Sequence, residues 1–263
     1  MLGDKQYTTQ LQAGLGMVPE CQALLRLHQS GITTSQLSDL ALSEGVFPGC
    51  TARRVENLVR EMFAPRFYKS NDQVADRLKH LIVSGIHADV INQLFLIYTA
   101  RAQTVLHDFI SQVYWSRRRD GADSLAIEDA HNFLEKAFKN GRMTKPWSTI
   151  TLKRVSGYLL GACHDFDLLG KARRGNRSFL PFRIRAKTAV YLAHDLHFAG
   201  VGDNNLIHHP DWTLFGLQDP DEVLTILAST CSEGNWLIQS GGGLIQISWK
   251  NSTWKETIHA ITR

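Results

Sequence analysis

The densest cluster of positive charge in the sequence lies between Lys171 and Lys187. This segment, KARRGNRSFLPFRIRAK, contains seven cations and no acidic residue. Lysine and arginine side chains that neutralise phosphates release counterions, and this release supplies most of the sequence-independent affinity for nucleic acid. Arginine can also pair with guanine. The pattern therefore predicts nucleic-acid contacts by six residues of the segment, namely Lys171, Arg173, Arg174, Arg177, Arg183 and Arg185.

A predicted helix directly precedes this basic segment. Its N-cap is Ser148 or Thr149, and apolar residues recur at steps of three and four between residues 152 and 166. Lys153 and Arg154 come early in the helix and at least partly off its apolar face. We therefore add these two cations to the predicted DNA-binding residues.

The residues after the helix predict a basic hairpin. Arg174 to Arg177 have the composition of a turn, and Phe179 to Ile184 predict a short strand in which Pro181 favours an edge. A helix followed by such a hairpin is typical of a winged helix, whose helix enters the major groove and whose wing contacts the DNA backbone. Residues from about 101 to 187 follow the order of that fold. We predict binding to double-stranded DNA with weak sequence preference, because few side chains beyond Lys153 and Arg154 are placed to read bases.

Two other functions are compatible with the sequence. The basic hairpin would also suit a scaffold protein that docks on an acidic partner. A metal-dependent hydrolase would need paired histidines and carboxylates. Candidate groups are His194-Asp195-x-His197, His208-His209-x-Asp211 and His164-Asp165-x-Asp167. None has a specific metal-site spacing, and no GxSxG, HExxH or Cys/His signature occurs. We therefore predict a protein that is not an enzyme and that needs no cofactor or metal.

Composition limits the broad class of the protein. Its 263 residues are 43% hydrophobic and 21% charged, which is ordinary for a globular chain. The formal charge of +4 is too small to imply nucleic acid by itself, so the clustering of charge is the informative feature. Four widely spaced cysteines predict reduced thiols. The most apolar run, Val90 to Ala100, is too short to span about 30 Å of hydrocarbon. We expect a cytoplasmic protein without a membrane partner.

Helical periodicity along the chain predicts a mainly α protein of two domains. Residues 1–83 form an N-terminal helical domain, whose third helix begins at Thr51 and carries Arg53 and Arg54 largely off its apolar face. This arrangement resembles a helix-turn-helix, and a plain three-helix unit with a solvated basic face is the alternative. Residues 84–263 form a C-terminal helical domain that contains the winged helix and ends in a hairpin and a helix.

Several short motifs follow one another along the first 200 residues. They are Tyr7-Thr8-Thr9, Thr51-Ala-Arg-Arg54, Asp108-Phe109-Ile110, Glu128-Asp129 with Phe133, Trp147-Ser148-x-x-Thr151-x-x-Arg154, Leu159-Leu160-Gly161-Ala162 and Phe166-Asp167-Leu168-Leu169. Their order resembles the BrxA family of BREX phage-defence systems, over most of residues 7 to 200. The resemblance implies a mostly helical, basic protein that binds double-stranded DNA without catalysis of its own. Its partners would be other BREX proteins, among them a methyltransferase, a phosphatase-like protein and ATPases. The family supplies no catalytic motif, so the predicted site rests on the charge pattern.

Overall fold

The computed structural model describes residues 6–8, 15–68, 73–173, 175–231, 235–241 and 244–263. Helices form most of this part of the chain, which confirms the predicted mainly α fold class. They are α1 (Val18–Leu27), α2 (Thr34–Ser43), α3 (Ala52–Asn57), α4 (Ala64–Phe67), α5 (Gln73–Val83), α6 (Ala88–Ala102), α7 (Thr104–Phe109), α8 (Trp115–Arg119), α9 (Ile127–Lys139), α10 (Thr149–Asp165), α11 (Ala186–Phe198), α12 (Asp203–Ile207), α13 (Pro220–Ser229) and α14 (Trp254–Thr262). Two π-helical turns, Leu58–Phe63 and Ile110–Tyr114, and a 3-10 helix, Pro210–Phe215, complete the helical elements of the described chain.

The strands of the described chain form two small antiparallel sheets. One sheet pairs β1 (Ser124–Ala126) with β2 (Asn176–Ser178). The other pairs β3 (Trp236–Gly241) with β4 (Leu244–Trp249). The second pairing confirms the hairpin that the sequence predicts near the C-terminus.

The chain divides into two compact units. The first unit comprises Met1–Val83 and Phe95–Phe182, and the second comprises Ser84–Leu94 and Arg183–Arg263. The first segment of the second unit begins directly after α5, at Ser84, and ends inside α6, at Leu94. The division into domains 1–83 and 84–263 stays a prediction, because contacts within a folded chain do not measure whether either segment folds alone.

The predicted apolar run is part of α6. Its side chains are buried apart from that of Asn92, and those of Leu94, Phe95 and Leu96 are fully so. Within the described ranges, no helix is both long enough and apolar enough to cross a membrane.

Side-chain caps fix the starts of the first helices. Thr33 accepts a hydrogen bond from the backbone N–H of Gln36, whose side chain accepts one from the N–H of Thr33. This reciprocal pair is a capping box, and it starts α2 at a threonine. Thr51 caps α3 through a single bond, in which its side chain accepts from the backbone N–H of Arg54. The predicted start of the third helix at Thr51 is therefore confirmed.

Helix α10 forms where the sequence predicts it. The Oγ of Ser148 accepts a hydrogen bond from the N–H of Thr151 at 3.3 Å, so Ser148 is the N-cap. Val155 and Leu159 are buried at the predicted spacing. The helix packs against α9 and ends at Asp165, two residues before Asp167 adopts a left-handed backbone conformation.

The two strands near α10 correct the sequence prediction. Helical periodicity in the sequence predicts a helix from Ser124 to Phe138, but Ser124–Ala126 form β1 and the helix, α9, begins at Ile127. β2 precedes the strand predicted at Phe179 to Ile184, of which Phe179 makes a single antiparallel bridge to Leu169. In the observed register Leu125 lies opposite Arg177. These partners are far apart in sequence, so a local pattern carries no sign of their pairing.

The second unit is built on its C-terminal hairpin. Trp236 is buried, and its indole N–H donates to the carbonyl oxygen of Leu227 on α13 at 3.0 Å. The outer edge of β4 is covered by α12. There the Asp203 carboxylate accepts from the N–H of Ile247 at 2.8 Å, and the Asn204 side-chain oxygen makes an equivalent bond to Ile245. The hairpin is therefore hydrogen-bonded along one edge as well as through its own strands.

Candidate nucleic-acid interface

The exposed side of α10 carries both of the cations predicted there. Lys153 and Arg154 are exposed, as are Ile150 and Gly157. Steps of three and four along a helix place side chains on the same face. We call this set, residues 150, 153, 154 and 157, the α10 face. It presents two cations and one apolar side chain within two turns of the helix N-terminus.

A tight basic loop follows α10. We call residues 171–177 the basic wing. The backbone of Arg173 closes it by exchanging hydrogen bonds with Asn176, at 2.8 and 3.0 Å. Gly175 has φ 87°, a left-handed conformation that favours glycine at this turn. Lys171 and Arg173 are exposed on this loop, and Arg174 lies outside the described residues.

Arg177 differs from the other cations of the basic wing. It is half-buried, and its guanidinium donates to the carbonyl oxygen of Gly170 at 3.3 Å. Arg177 also occupies β2 opposite Leu125 of β1. Its side chain therefore helps to close the base of the wing, in addition to the positive charge that it contributes.

Tyr114 and Arg118 bind the chain segments that flank the basic wing on either side. The Arg118 guanidinium donates to the carbonyl oxygen of Leu180 and to the Tyr114 hydroxyl, both at 2.8 Å. The Tyr114 hydroxyl in turn donates to the carbonyl oxygen of Leu168 at 3.2 Å, and burial raises the pKa of Tyr114 to about 12. Leu180 and Leu168 are also joined directly, N–H to oxygen, at 3.0 Å. This network fixes the chain on both sides of the basic wing.

Arg118 is a site-supporting residue that the sequence prediction missed. The triplet Arg117-Arg118-Arg119 ends α8, and its members have different surroundings. Arg117 pairs with Asp129 at 3.2 Å, whereas the Arg118 guanidinium also lies over the Trp115 ring, 5.5 Å from its centroid. The spacing of Arg118 one helical turn after Tyr114 could have indicated their hydrogen bond. The bond from Arg118 to Leu180 joins residues far apart in sequence, so no local pattern indicates it.

Arg183 and Arg185 belong to the second unit. The Arg185 guanidinium forms an ion pair with Asp89. The side chain of Gln93 accepts from the backbone N–H of Arg185 at 2.9 Å and donates to the carbonyl oxygen of Arg183 at 2.7 Å. These bonds tie the start of α11 to the segment before Leu94. The structure thus divides the predicted cationic segment between the two units.

Arg53 and Arg54 lie on α3 in the first unit. Arg53 is exposed and Arg54 is half-buried. Helix α3 packs against α2, whereas α10 packs against α9. The two arginines therefore stand in a different helical group of the same unit, and their part in DNA binding stays a prediction.

Three of the histidines considered for a hydrolase serve packing and local hydrogen bonds. His194 is fully buried and bonds through Nδ1 to the carbonyl oxygen of Val190 at 2.8 Å, and burial lowers its pKa to about 4. His197 stacks on Trp249 with ring centroids 4.1 Å apart. Nδ1 of His164 bonds to the carbonyl oxygen of Leu169 at 2.9 Å. In the part of the chain that the structure describes, no group of three or more His, Cys, Asp or Glu side chains is placed to hold a metal ion.

Both the fold and the sequence are similar to those of known proteins. A crystal structure of an uncharacterized protein from Magnetospirillum magneticum is similar, with a TM-score of 0.59 and 17% sequence identity. The similarity covers 73% of this chain and 95% of that one, and at this identity it concerns the fold alone. No curated protein matches the sequence. A model of the BrxA family matches residues 5–195, which include the α10 face and the basic wing. The chain therefore belongs to the BrxA family and is a BREX-associated defence protein.

Proposed function

We propose that this protein is a non-catalytic component of a BREX system that binds double-stranded DNA through phosphate contacts. The α10 face and the basic wing are the main contact surfaces. Arg53, Arg54, Arg183 and Arg185 are further candidates for backbone contacts. The observation that carries the proposal is the direct succession of a capped helix with two exposed cations and a tight loop with two more.

The order of elements in the first unit supports a winged helix. Helices α7 and α8 are followed by β1, α9, α10, the basic wing and β2, and β1 pairs with β2 across the two intervening helices. In a winged helix the second helix of the helix-turn-helix pair enters the major groove, with its N-terminal residues toward the bases. By this correspondence α10 is the recognition helix, and the basic wing reaches the adjacent backbone.

The charge distribution supports phosphate contacts. Lys153, Arg154, Lys171 and Arg173 are exposed, and none of them forms an ion pair with another residue that the structure describes. A cation without a protein counter-charge keeps its full attraction for an external anion. Each phosphate neutralised adds a salt-sensitive increment to the affinity. These four side chains are therefore the best-placed DNA contacts.

Paired substitutions test the proposal. We would compare Lys153→Ala/Arg154→Ala and Lys171→Ala/Arg173→Ala with the wild type by fluorescence anisotropy, using a duplex of about 30 base pairs in about 50 mM salt. The matched control is Lys250→Ala/Lys255→Ala, which removes two exposed cations from the second unit. We expect each site pair to weaken binding roughly tenfold and the control about twofold or less. Unchanged affinity in both folded site variants would overturn the proposal.

The same surfaces also support a second candidate, a scaffold that docks on an acidic protein. Exposed cations on a tight loop fit carboxylates as well as phosphates. The anisotropy experiment separates the two, because a scaffold would leave the duplex unbound even in about 50 mM salt. A hydrolase is disfavoured by the packing of His194, His197 and His164 described above. A cytoplasmic location remains part of the proposal.

A further inference from the structure

Ile150 is the most exposed large apolar side chain that the structure describes. Its exposed fraction is 81%, compared with 69% for Leu237 and Leu244 and 67% for Val83. It is the second residue of α10, directly after the Ser148 cap and Thr149. An exposed isoleucine adds nothing to the core and little to helix propensity at this position. Its side chain is therefore available to contact a partner molecule.

The surroundings of Ile150 indicate which kind of surface it meets. Lys153 and Arg154 follow it by three and four residues on the α10 face, and Thr149 beside it is also exposed. A protein-binding patch would need a contiguous apolar area, with few charges at its centre. Here a single apolar group stands among cations and hydroxyls. Such a group suits a strongly anionic partner that offers isolated apolar atoms.

Double-stranded DNA offers such atoms in its major groove. The C5 methyl of thymine is the apolar group that base pairs present there, and it lies between the two phosphate backbones. The N-terminal residues of a recognition helix are the ones that contact base edges. Ile150 has this position on α10. Lys153 and Arg154 lie one turn further along, where they can reach phosphates.

We propose that Ile150 contacts the C5 methyl groups of pyrimidines in the major groove. The ligand is thymine, and 5-methylcytosine presents the same methyl group at the same ring position. This inference rests on the proposed function, since it assigns a role within the DNA-binding surface. It gives the protein a modest preference for methyl-bearing pyrimidines, superimposed on affinity from phosphate contacts. Burying one methyl against Ile150 corresponds to a preference of about threefold to tenfold.

The test compares duplexes that differ only in this methyl group. Anisotropy would be measured with one mixed sequence in three forms: with thymine, with uracil in place of every thymine, and with uracil plus 5-methylcytosine. Replacing thymine by uracil removes the methyl and keeps every base-edge hydrogen bond. The proteins are the wild type, Ile150→Ala and the control Leu237→Ala, which shortens another exposed apolar side chain.

We expect the wild type and Leu237→Ala to bind the uracil duplex about threefold or more weakly, and 5-methylcytosine to restore the affinity. Ile150→Ala should bind all three duplexes equally well and with clear residual affinity. Equal wild-type binding to all three duplexes would overturn methyl recognition and leave the proposed function standing. A methyl preference that persists in Ile150→Ala would overturn the assignment to Ile150. Absence of wild-type binding to any duplex would overturn the proposed function and this inference together.

Discussion

The basic wing and the C-terminal hairpin differ in charge and in how they are held. The basic wing closes over a few residues and carries exposed Lys171 and Arg173. The C-terminal hairpin pairs six residues from each strand, and residues 236–249 contain no charged side chain. Its Trp236 is buried, whereas Lys171 and Arg173 of the wing are exposed. The C-terminal hairpin therefore contributes to the core of its unit, whereas the exposed cations of the basic wing do not.

This difference separates stability from binding. Substitutions inside the C-terminal hairpin should lower the free energy of unfolding with little effect on DNA affinity. Substitutions in the basic wing should have the opposite profile. Residues at the base of the wing, such as Arg118, should affect both properties, because they position the loop without forming its surface.

The largest expected effect is that of Trp236→Ala. This side chain is 2% exposed and donates its indole N–H to Leu227, so truncation leaves a cavity and removes a buried bond. We expect a loss of about 4 kcal/mol in the free energy of unfolding, measured by urea denaturation. Leu237→Ala, on the exposed face of the same strand, should change it by less than about 0.5 kcal/mol. Equal effects of the two substitutions would contradict the packing described for this hairpin.

A pH titration examines the same hairpin through His194, whose ring lies 5.0 Å from that of Trp249. Burial lowers its pKa from 6.5 to about 4, so the folded state keeps the imidazole neutral while the unfolded chain takes up a proton. Stability should therefore fall as the pH falls from 6.5 towards 4, by up to about 3 kcal/mol. In His194→Gln this part of the pH dependence should disappear from unfolding curves measured across the same range. A wild-type slope retained in that variant would assign the effect to other groups.

At the base of the wing, we expect a smaller loss from Arg118→Gln. The charged guanidinium makes two hydrogen bonds of 2.8 Å, to Tyr114 and Leu180, which the amide side chain is too short to reproduce. The free energy of unfolding should fall by about 2 kcal/mol. The folded variant should also bind DNA several times more weakly, because Leu180 is no longer held. Lost stability with wild-type affinity would show that the wing does not need this support.

Gly157→Ala should produce the smallest change, and one of opposite sign for stability. A Cβ at this exposed position would meet no atom within 4 Å, and alanine favours helix over glycine. We expect the free energy of unfolding to rise by about 1 kcal/mol, while DNA affinity falls because the new methyl stands on the α10 face. A variant that gains stability and binds DNA with unchanged affinity would place the contact surface elsewhere.

Local signals made α10 and the C-terminal hairpin predictable. Ser148 caps the helix where a serine precedes an apolar repeat, and Trp236 and Trp249 bound two short apolar runs joined by glycines. The pairing of Leu125 with Arg177 was not predictable, because each strand has only three residues and the partners are separated by two helices. Tertiary packing determines whether such short strands form. The helix predicted from periodicity at Ser124 is therefore wrong over the three residues of β1.

The candidate site shows the same division between local and nonlocal information. Exposure of Lys153 and Arg154 follows from their position off the apolar pattern of α10. The chain enters the second unit after Phe182, and the spacing of the cations gives no signal of this boundary. The sequence therefore groups Arg185 with the other cations of the segment, although Arg185 pairs with Asp89.

The salt dependence of DNA binding tests the central claim most directly. The dissociation constant of the wild type would be measured at several salt concentrations between about 50 and 200 mM, beside that of Lys171→Ala/Arg173→Ala. We predict a steep linear fall of log affinity with log salt, and a slope about two units shallower in the variant, because each phosphate contact contributes about 0.9. Absence of binding in about 50 mM salt, or identical slopes for the two proteins, would contradict the assignment of the basic wing to the DNA backbone.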